Sequence, residues 1–264
     1  MKSIVLITGA TSGIGMEFAK IFAKEGYNLF LVGRNEKVLS NLKRSLRKDF
    51  NINVDGLIVD LSKRIEIENL YDYIIKNSYT VEILINNAGL GYNGEFNDIS
   101  IDKHIQVIDV NIRGLTILTS FIIKDMKKRG KGKILNVAST GAYQPGSFIA
   151  TYYASKAYVL SFSYALKEEL KPYKITVTVL CPGATKTNFS KRAGKSDLNI
   201  AMNPYYVAYK GYKGLMKGKG NVIPGAMNKI AVFLSKISPN IVNSKVVANI
   251  QYKAYKNYID KKDN

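Results

Sequence analysis

Six short runs rich in Val, Ile and Leu recur along the first 180 residues, most of them followed by a longer stretch of helical periodicity. They are SIVLIT (3–8), NLFLVG (28–33), NVDGLIVD (53–60), EILIN (82–86), KILNVAS (133–139) and KITVTVL (174–180). Most of these runs are nearly continuous in apolar residues instead of alternating, which is expected of strands covered by helices on both faces. The pattern therefore predicts an α/β fold: a doubly wound parallel sheet in a three-layer α/β/α arrangement. Helices are expected to begin near Gly13, Glu36, Ser62, Ile101 and Thr151, with Ser62 and Ser100 as N-caps. No Pro/Gly/Ser linker interrupts the series, and a length of 264 residues with 46% hydrophobic content suits one core, so residues 1–264 are read as one domain. Beyond Thr187 the pattern loosens. Residues 188–225, which include a short strand NVI at 221–223, are expected to form a lid, and 226–264 a helical C-terminal segment.

One cysteine, Cys181, and one histidine, His104, exclude a disulfide framework, a Cys/His metal cluster and a His-based triad; no metal is expected. The same scarcity favours a reducing, cytoplasmic setting. The opening MKSIVLITGA reads as a strand because its apolar run is only a few residues long before Gly9. No run of about 18 apolar residues occurs, so no transmembrane helix is expected. The formal charge of +19 is uneven: from Cys181 onward there are 15 Lys and Arg against 3 Asp, which accounts for twelve of the nineteen. Such a balance admits contact with an anionic membrane surface; nucleic acid is not expected.

The first strand runs directly into TGATSGIG, which places Gly9, Gly13 and Gly15 at a strand-to-helix turn. Glycines there let the backbone turn tightly and approach a pyrophosphate, and the first N–H groups of the helix stabilise its charge. At the end of the second strand, where dinucleotide-binding folds often place an acid for the ribose 2′-hydroxyl, this chain has Gly33 followed by Arg34. A guanidinium pairs with a 2′-phosphate that a carboxylate would repel, so NADP (NADPH) is favoured over NAD.

With these motifs the chain resembles the single-domain short-chain dehydrogenase/reductases. TGATSGIG matches that family's T-G-x-x-x-G-x-G, with Thr11, Ser12 and Ile14 in the turn. VDL carries the adenine-side acid as Asp60, and NNAG supplies Asn87, Ala88 and Gly89. PGATKT supplies Pro182, Gly183, Thr185 and Thr187 as the segment that clasps the nicotinamide, and Asn111, Ser139, Tyr152 and Lys156 fill the catalytic set. The match spans nearly residues 1 to 187. It implies a Rossmann fold and an NADP(H)-dependent oxidoreductase interconverting a carbonyl and an alcohol. Ser139 would hold the carbonyl and Tyr152 would act as general acid/base. Lys156 would lower the tyrosine's pKa and bind the nicotinamide ribose, and Asn111 would hold a water that relays protons to Lys156. It also implies a homodimer or homotetramer formed through the helices beginning near Ile101 and Thr151.

Helical spacing lets both Tyr152 and Tyr153 neighbour Lys156, so proximity alone does not choose between them. The family's Y-x-x-x-K spacing selects Tyr152, and an apolar stripe of Tyr153, Ala157, Leu160 and Tyr164 agrees by assigning Tyr153 to packing. His104 is expected to be a surface or packing residue, and Cys181 an inert buried thiol. Tyr205, Tyr206, Tyr209 and Tyr212 are read as walls of a hydrophobic substrate pocket. Lys186, Lys191, Arg192 and Lys195 follow the nicotinamide segment, while Met202 and the lid tyrosines could cover a chain. The expected substrate is therefore a small carbonyl or alcohol compound, anionic with an apolar body. The alternative reading is a non-catalytic NADP(H)-binding sensor or scaffold docked to an anionic partner, which would have no need of the Ser/Tyr/Lys set.

Overall fold

The structure is a computed structural model that describes residues 2–193 and 201–260, without the side chains of residues 191, 192 and 257–260. Seven parallel strands form its sheet: β1 (Lys2–Thr8), β2 (Leu29–Gly33), β3 (Val54–Ile58), β4 (Tyr79–Asn86), β5 (Gly132–Val137), β6 (Ile175–Leu180) and β7 (Asn221–Val222). Their order is β3-β2-β1-β4-β5-β6-β7, so the winding reverses between β1 and β4. A crevice opens at the carboxyl ends of strands where such a reversal occurs.

Strand periodicity builds both outer layers. Along β1, Val5 and Ile7 face one side while Ile4 and Leu6 face the other, and all four are buried. The first side is covered by α1 (Gly13–Lys24), α2 (Glu36–Asp49) and α8 (Pro204–Met216), through Phe18, Phe22, Leu42, Val207 and Leu215. The second is covered by α3 (Arg64–Lys76), α5 (Leu115–Arg129) and the end of α6 (Ala150–Leu170), through Ile67, Leu70, Ile122, Met126 and Leu170. A chain of buried polar contacts crosses the sheet behind the crevice. Asn86 donates to Thr119 at 2.8 Å and Asn136 at 2.9 Å, and Asn136 donates to Ser163 of α6 at 3.0 Å. Satisfied buried groups of this kind fix register, here that of the helix carrying Tyr152 and Lys156.

Several local expectations need correction. Ser62 is not an N-cap: its N–H and hydroxyl both donate to Asp60, and α3 begins after Lys63. Ser100 does precede α4 (Ile101–Ile108), but its side chain makes no capping bond. The helix from Ile101 continues to Arg129 through a π-helical turn, Asp109–Gly114, that joins α4 to α5. It is long and apolar enough to cross a membrane, yet Leu118, Thr119, Ile122 and Met126 are buried in the fold, which accounts for its apolar face.

The segment read as a lid is not one element. Its helix α8 belongs to the core layer: Gly211 lies against Phe18 and Leu180, and the Tyr212 ring packs edge-on against Phe22 at 5.2 Å. None of its four tyrosines lines the crevice. Tyr205 stacks on Tyr209, and Lys210 and Lys213 lie over the Tyr206 and Tyr209 rings. Met202 likewise does not line the crevice. It bridges to Thr185 in the backbone and takes a contact from Asn228 of α9 (Ala226–Ile237) on its sulfur. The fold closes with α7 (Asn188–Arg192) and α10 (Asn240–Asp260).

Candidate active site

The crevice is a cleft of about 630 Å³ at the carboxyl ends of the strands. Every predicted site residue lines it except Gly15 and Asn111, which sit one layer behind. At one end, β1 turns into α1 through Gly9 at φ +64° and Gly13 at φ +54°, conformations that suit glycine. A Cβ on Gly15 would collide with the Gly9 carbonyl and the Asn87 amide, and one on Gly13 would come within 2.8 Å of the Thr187 methyl. Thr8 ties this turn to the NNAG segment, since its hydroxyl accepts from the N–H groups of Asn87 and Ala88 at 3.0 and 3.1 Å. The result is a side-chain-free cradle at a helix N-terminus, with room and N–H groups for a pyrophosphate. The residues present therefore fit a dinucleotide. Gly15→Ala is expected to abolish dinucleotide binding and lower the melting temperature by several degrees; thermal melts with and without cofactor check both effects.

Near this end stands Arg34, about half exposed, with its guanidinium 3.9 Å from the Asp60 carboxylate. Burial would raise the Asp60 carboxyl, but two hydrogen bonds from Ser62 and the charges of Arg34 and Lys63 outweigh it and hold the carboxyl below its usual range.

The other end holds Ser139, just past β5, and Tyr152 and Lys156 on the first turns of α6. The Ser139 hydroxyl accepts from Gly141 N–H at 3.0 Å and lies near enough to the Tyr152 phenol to favour its ionised form. Lys156 is buried, donates to the Val137 carbonyl at 2.8 Å, and lies 5.7 Å from the centre of the Tyr152 ring. Desolvation dominates both groups: it pushes the Tyr152 phenol well above its ordinary value despite the Ser139 hydroxyl, and pushes Lys156 down to about 8. The lowered phenol pKa expected from Lys156 is thus corrected for the protein alone.

Asn111, in the π-helical turn, is wholly buried. Its amide donates to the Leu90 carbonyl at 2.8 Å and to Ser155 Oγ at 2.9 Å, while its oxygen accepts from Leu90 N–H. Both amide hydrogens are committed, so the side chain has no donor left for the water assigned to it. Ser155 in turn donates to the Tyr152 carbonyl at 2.7 Å, which makes Asn111 a brace for the first turn of α6.

The stripe that separated the two tyrosines is also corrected. Ala157 and Tyr164 are exposed, and the buried positions of α6 are Ser155, Lys156, Val159, Leu160, Ser163 and Leu170. Tyr153 nevertheless packs, its ring held between Gly141 and Gly146, but it also lines the cleft and its hydroxyl accepts from Gln251 of α10 at 3.0 Å. His104 packs as expected, stacked on Phe96 and bonded to Thr151. Cys181 is buried and unpaired, and desolvation raises its thiol to about 11. Lys195 and the side chains of Lys191 and Arg192 lie outside the described residues.

The model of the family described as short chain dehydrogenase matches residues 3–197. The chain belongs to the short-chain dehydrogenase/reductase family. It is 34% identical over 262 residues to dehydrogenase/reductase SDR family member 7B of Xenopus tropicalis, covering 93% of this chain and 85% of that one. It is 37% identical over 188 residues to a putative ketoacyl reductase of Streptomyces coelicolor, covering 70% and 72%. A solved short-chain dehydrogenase from Sphingobium yanoikuyae in complex with NADPH is similar over 90% of this chain and 97% of its own, with a TM-score of 0.81 and 29% identity.

As a short-chain dehydrogenase/reductase the chain is an oxidoreductase with a nicotinamide-cofactor fold, and its cleft is also lined by residues that the motifs did not reveal. Ile149, Phe189 and Gln251 line it, and Asn228 fills the space a Cβ on Gly183 would need. The NFS stretch after Thr187 could have drawn attention to Phe189, whose ring lies 5.2 Å from that of Tyr152. Gln251 gave no signal, because it reaches Tyr153 from 98 residues away.

Proposed function

We propose that this short-chain dehydrogenase/reductase is an NADP(H)-dependent reductase of carbonyl compounds, also able to run in the alcohol-oxidising direction. The observation that carries the reading is the contact of Ser139 with Tyr152 beside the buried Lys156, all within the cleft that ends at the glycine cradle. Gly9, Ser12, Gly13 and Ile14 would hold the pyrophosphate, Asp60 the adenine side, and Asn87 to Gly89, Lys156 and Pro182 to Thr187 the nicotinamide side. When bound, the nicotinamide supplies the hydride.

The chain's own residues hold the substrate and move the proton. Ser139 and Tyr152 bind the carbonyl oxygen together and stabilise the negative charge that develops on it. Tyr152 gives its proton to that oxygen, and the phenolate left behind is stabilised by the Lys156 ammonium. A phenol raised by burial is fully protonated at neutral pH, which suits the acid role in reduction. Asn111 acts as a positioning residue through Ser155.

Leu90, Ile149, Tyr153 and Phe189 give the substrate end of the cleft an apolar lining, and exposed Lys186 follows the nicotinamide segment. These features support a substrate with an apolar body and an anionic group. We also place the protein in the cytoplasm, as its one buried, reduced thiol favours, and expect self-association along α4–α5 and α6.

Arg34 supports the choice of NADP. Asp60 is already satisfied by Ser62, and Arg34 meets it only at 3.9 Å, so the guanidinium keeps donors for a 2′-phosphate. NADPH is expected to bind about ten- to a hundred-fold more tightly than NADH. In Arg34→Ala that advantage disappears while NADH binding changes little. Fluorescence titration of both reduced cofactors checks this, and equal or tighter NADH binding to the parent overturns the assignment.

A further inference from the structure

The helices α9 and α10 leave most of their large apolar residues on the exposed side, with Val232 and Val247 turned inward. On α9, Met227, Ile230, Leu234 and Ile237 share one helical face with Phe233 beside it, and all five are at least half exposed. The face turned inward buries one apolar side chain, Val232, beside two polar residues: Asn228 against Gly183, and Ser235, which is buried. On α10, Val242, Val246 and Ile250 recur every four residues on the exposed side, while Asn243, Val247 and Gln251 are buried on the other. A helix pair that buries two valines among its amides and leaves Ile, Leu and Phe exposed has an apolar face awaiting a partner.

The charge pattern selects that partner. From Ala226 to Ile259 the sequence has five lysines and no acidic residue. Lys229, Lys236, Lys245, Lys253 and Lys256 are all exposed. A second copy applying the same patch would bring lysines against lysines with no carboxylate on either side to offset them. A bilayer with anionic headgroups takes both parts, the apolar stripe entering the acyl boundary and the lysines lying at the headgroups.

We infer that the exposed face of α9 and α10 docks the protein on an anionic phospholipid bilayer. The inner side of α10 is a wall of the cleft, since Gln251 lines it and bonds Tyr153, and Tyr252 and Tyr255 pack on Phe148, held at φ +60°. Docking therefore places an apolar substrate's source against the same element that bounds its site; this clause alone rests on the proposed reductase activity.

The test is sedimentation of the full chain with vesicles of phosphatidylcholine, alone or with about 30% phosphatidylserine, at about 0.15 M salt. Binding to the anionic vesicles is expected, at least about ten-fold tighter than to the neutral ones. Ile230→Ser with Leu234→Ser, which leaves the net charge unchanged, should weaken it by about 30-fold or more. Lys245→Gln with Lys253→Gln should weaken it by about 30-fold on anionic vesicles only. Both variants should keep the parental melting temperature and NADPH-dependent turnover of a water-soluble ketone, so loss of docking is distinguishable from failure of the reductase reading. Absence of parental binding overturns the inference, as does binding that survives the Ile230/Leu234 variant, which would mark a merely basic surface. A dimer that the same variant dissociates, without vesicle binding, would assign the face to a second copy.

Discussion

Lys156→Met is expected to melt about 4 to 8 °C above the parent at pH 6.5 while losing reductase turnover. Lys156 is only 4% exposed, and burial pushes it down to about 8 from 10.5. Each unit of such a shift corresponds to about 1.36 kcal/mol, so keeping the ammonium charged in the fold costs on the order of 3 kcal/mol. Methionine retains most of the buried stem and removes the charge, at the loss of one hydrogen bond to Val137 worth about 1 kcal/mol. The net gain of about 2 kcal/mol converts to the quoted shift at about 2 to 4 °C per kcal/mol. The sign with pH follows from proton counting. Between about 8 and 10.5 the unfolded chain binds more protons at this site than the folded one, so the parent gains stability as pH rises through that window. The advantage of Lys156→Met should therefore shrink towards pH 10. Melts at both pH values decide the matter, and a variant less stable than the parent at pH 6.5 would refute the buried-charge account.

Tyr152→Phe should lower turnover by about 10² to 10⁴ with NADPH affinity nearly intact, whereas Tyr153→Phe should cost far less. The first removes the hydroxyl that faces Ser139 and would transfer the proton. The second removes only the acceptor of the Gln251 bond and leaves the ring between Gly141 and Gly146. Steady-state kinetics with a common ketone, together with cofactor titration, separates the two. The reverse order of effects would mean that Tyr153 is the acid and that the Ser139 contact is incidental.

Where residues act through local pattern, the sequence was a good guide. All seven strands lie where the Val/Ile/Leu runs placed them, to within three residues at either end, and the glycine turn reads directly as a cradle because glycine's freedom is a property of the residue itself. The failures came where two patterns overlap. In PYYVAYKGYKGLM the tyrosines and lysines suggested a lid, but Val207, Ala208, Gly211 and Leu215 form a second, narrower stripe at helical spacing, and that stripe packs on α1. On α6 the aromatic residues drew the eye to Tyr153, Ala157 and Tyr164, although the face that turns inward is built of Ser155, Lys156, Val159 and Ser163. Small and polar residues are poor markers of burial until their partners are known. Gln251 and Asn228 belong to the site only through tertiary contacts, and no local rule could have announced them.

The π-helical turn at Asp109–Gly114 makes the rod from Ile101 to Arg129 run out of phase with itself. Before it, Val107 packs beside Leu90; after it, Leu118, Ile122 and Met126 pack on the sheet; within it, Val110 joins Val107 and Leu90, Asn111 braces α6 and Gly114 passes against the Leu61 carbonyl. Removing one residue from these six would restore a regular helix with better hydrogen bonds, yet would rotate one half against the other by about 100°. The stretch can be mended or it can serve both neighbours, but not at once. Change at these positions is therefore confined to exchange of side chains, and a shift in residue count, harmless in most surface turns, would here separate the brace from the helix it holds.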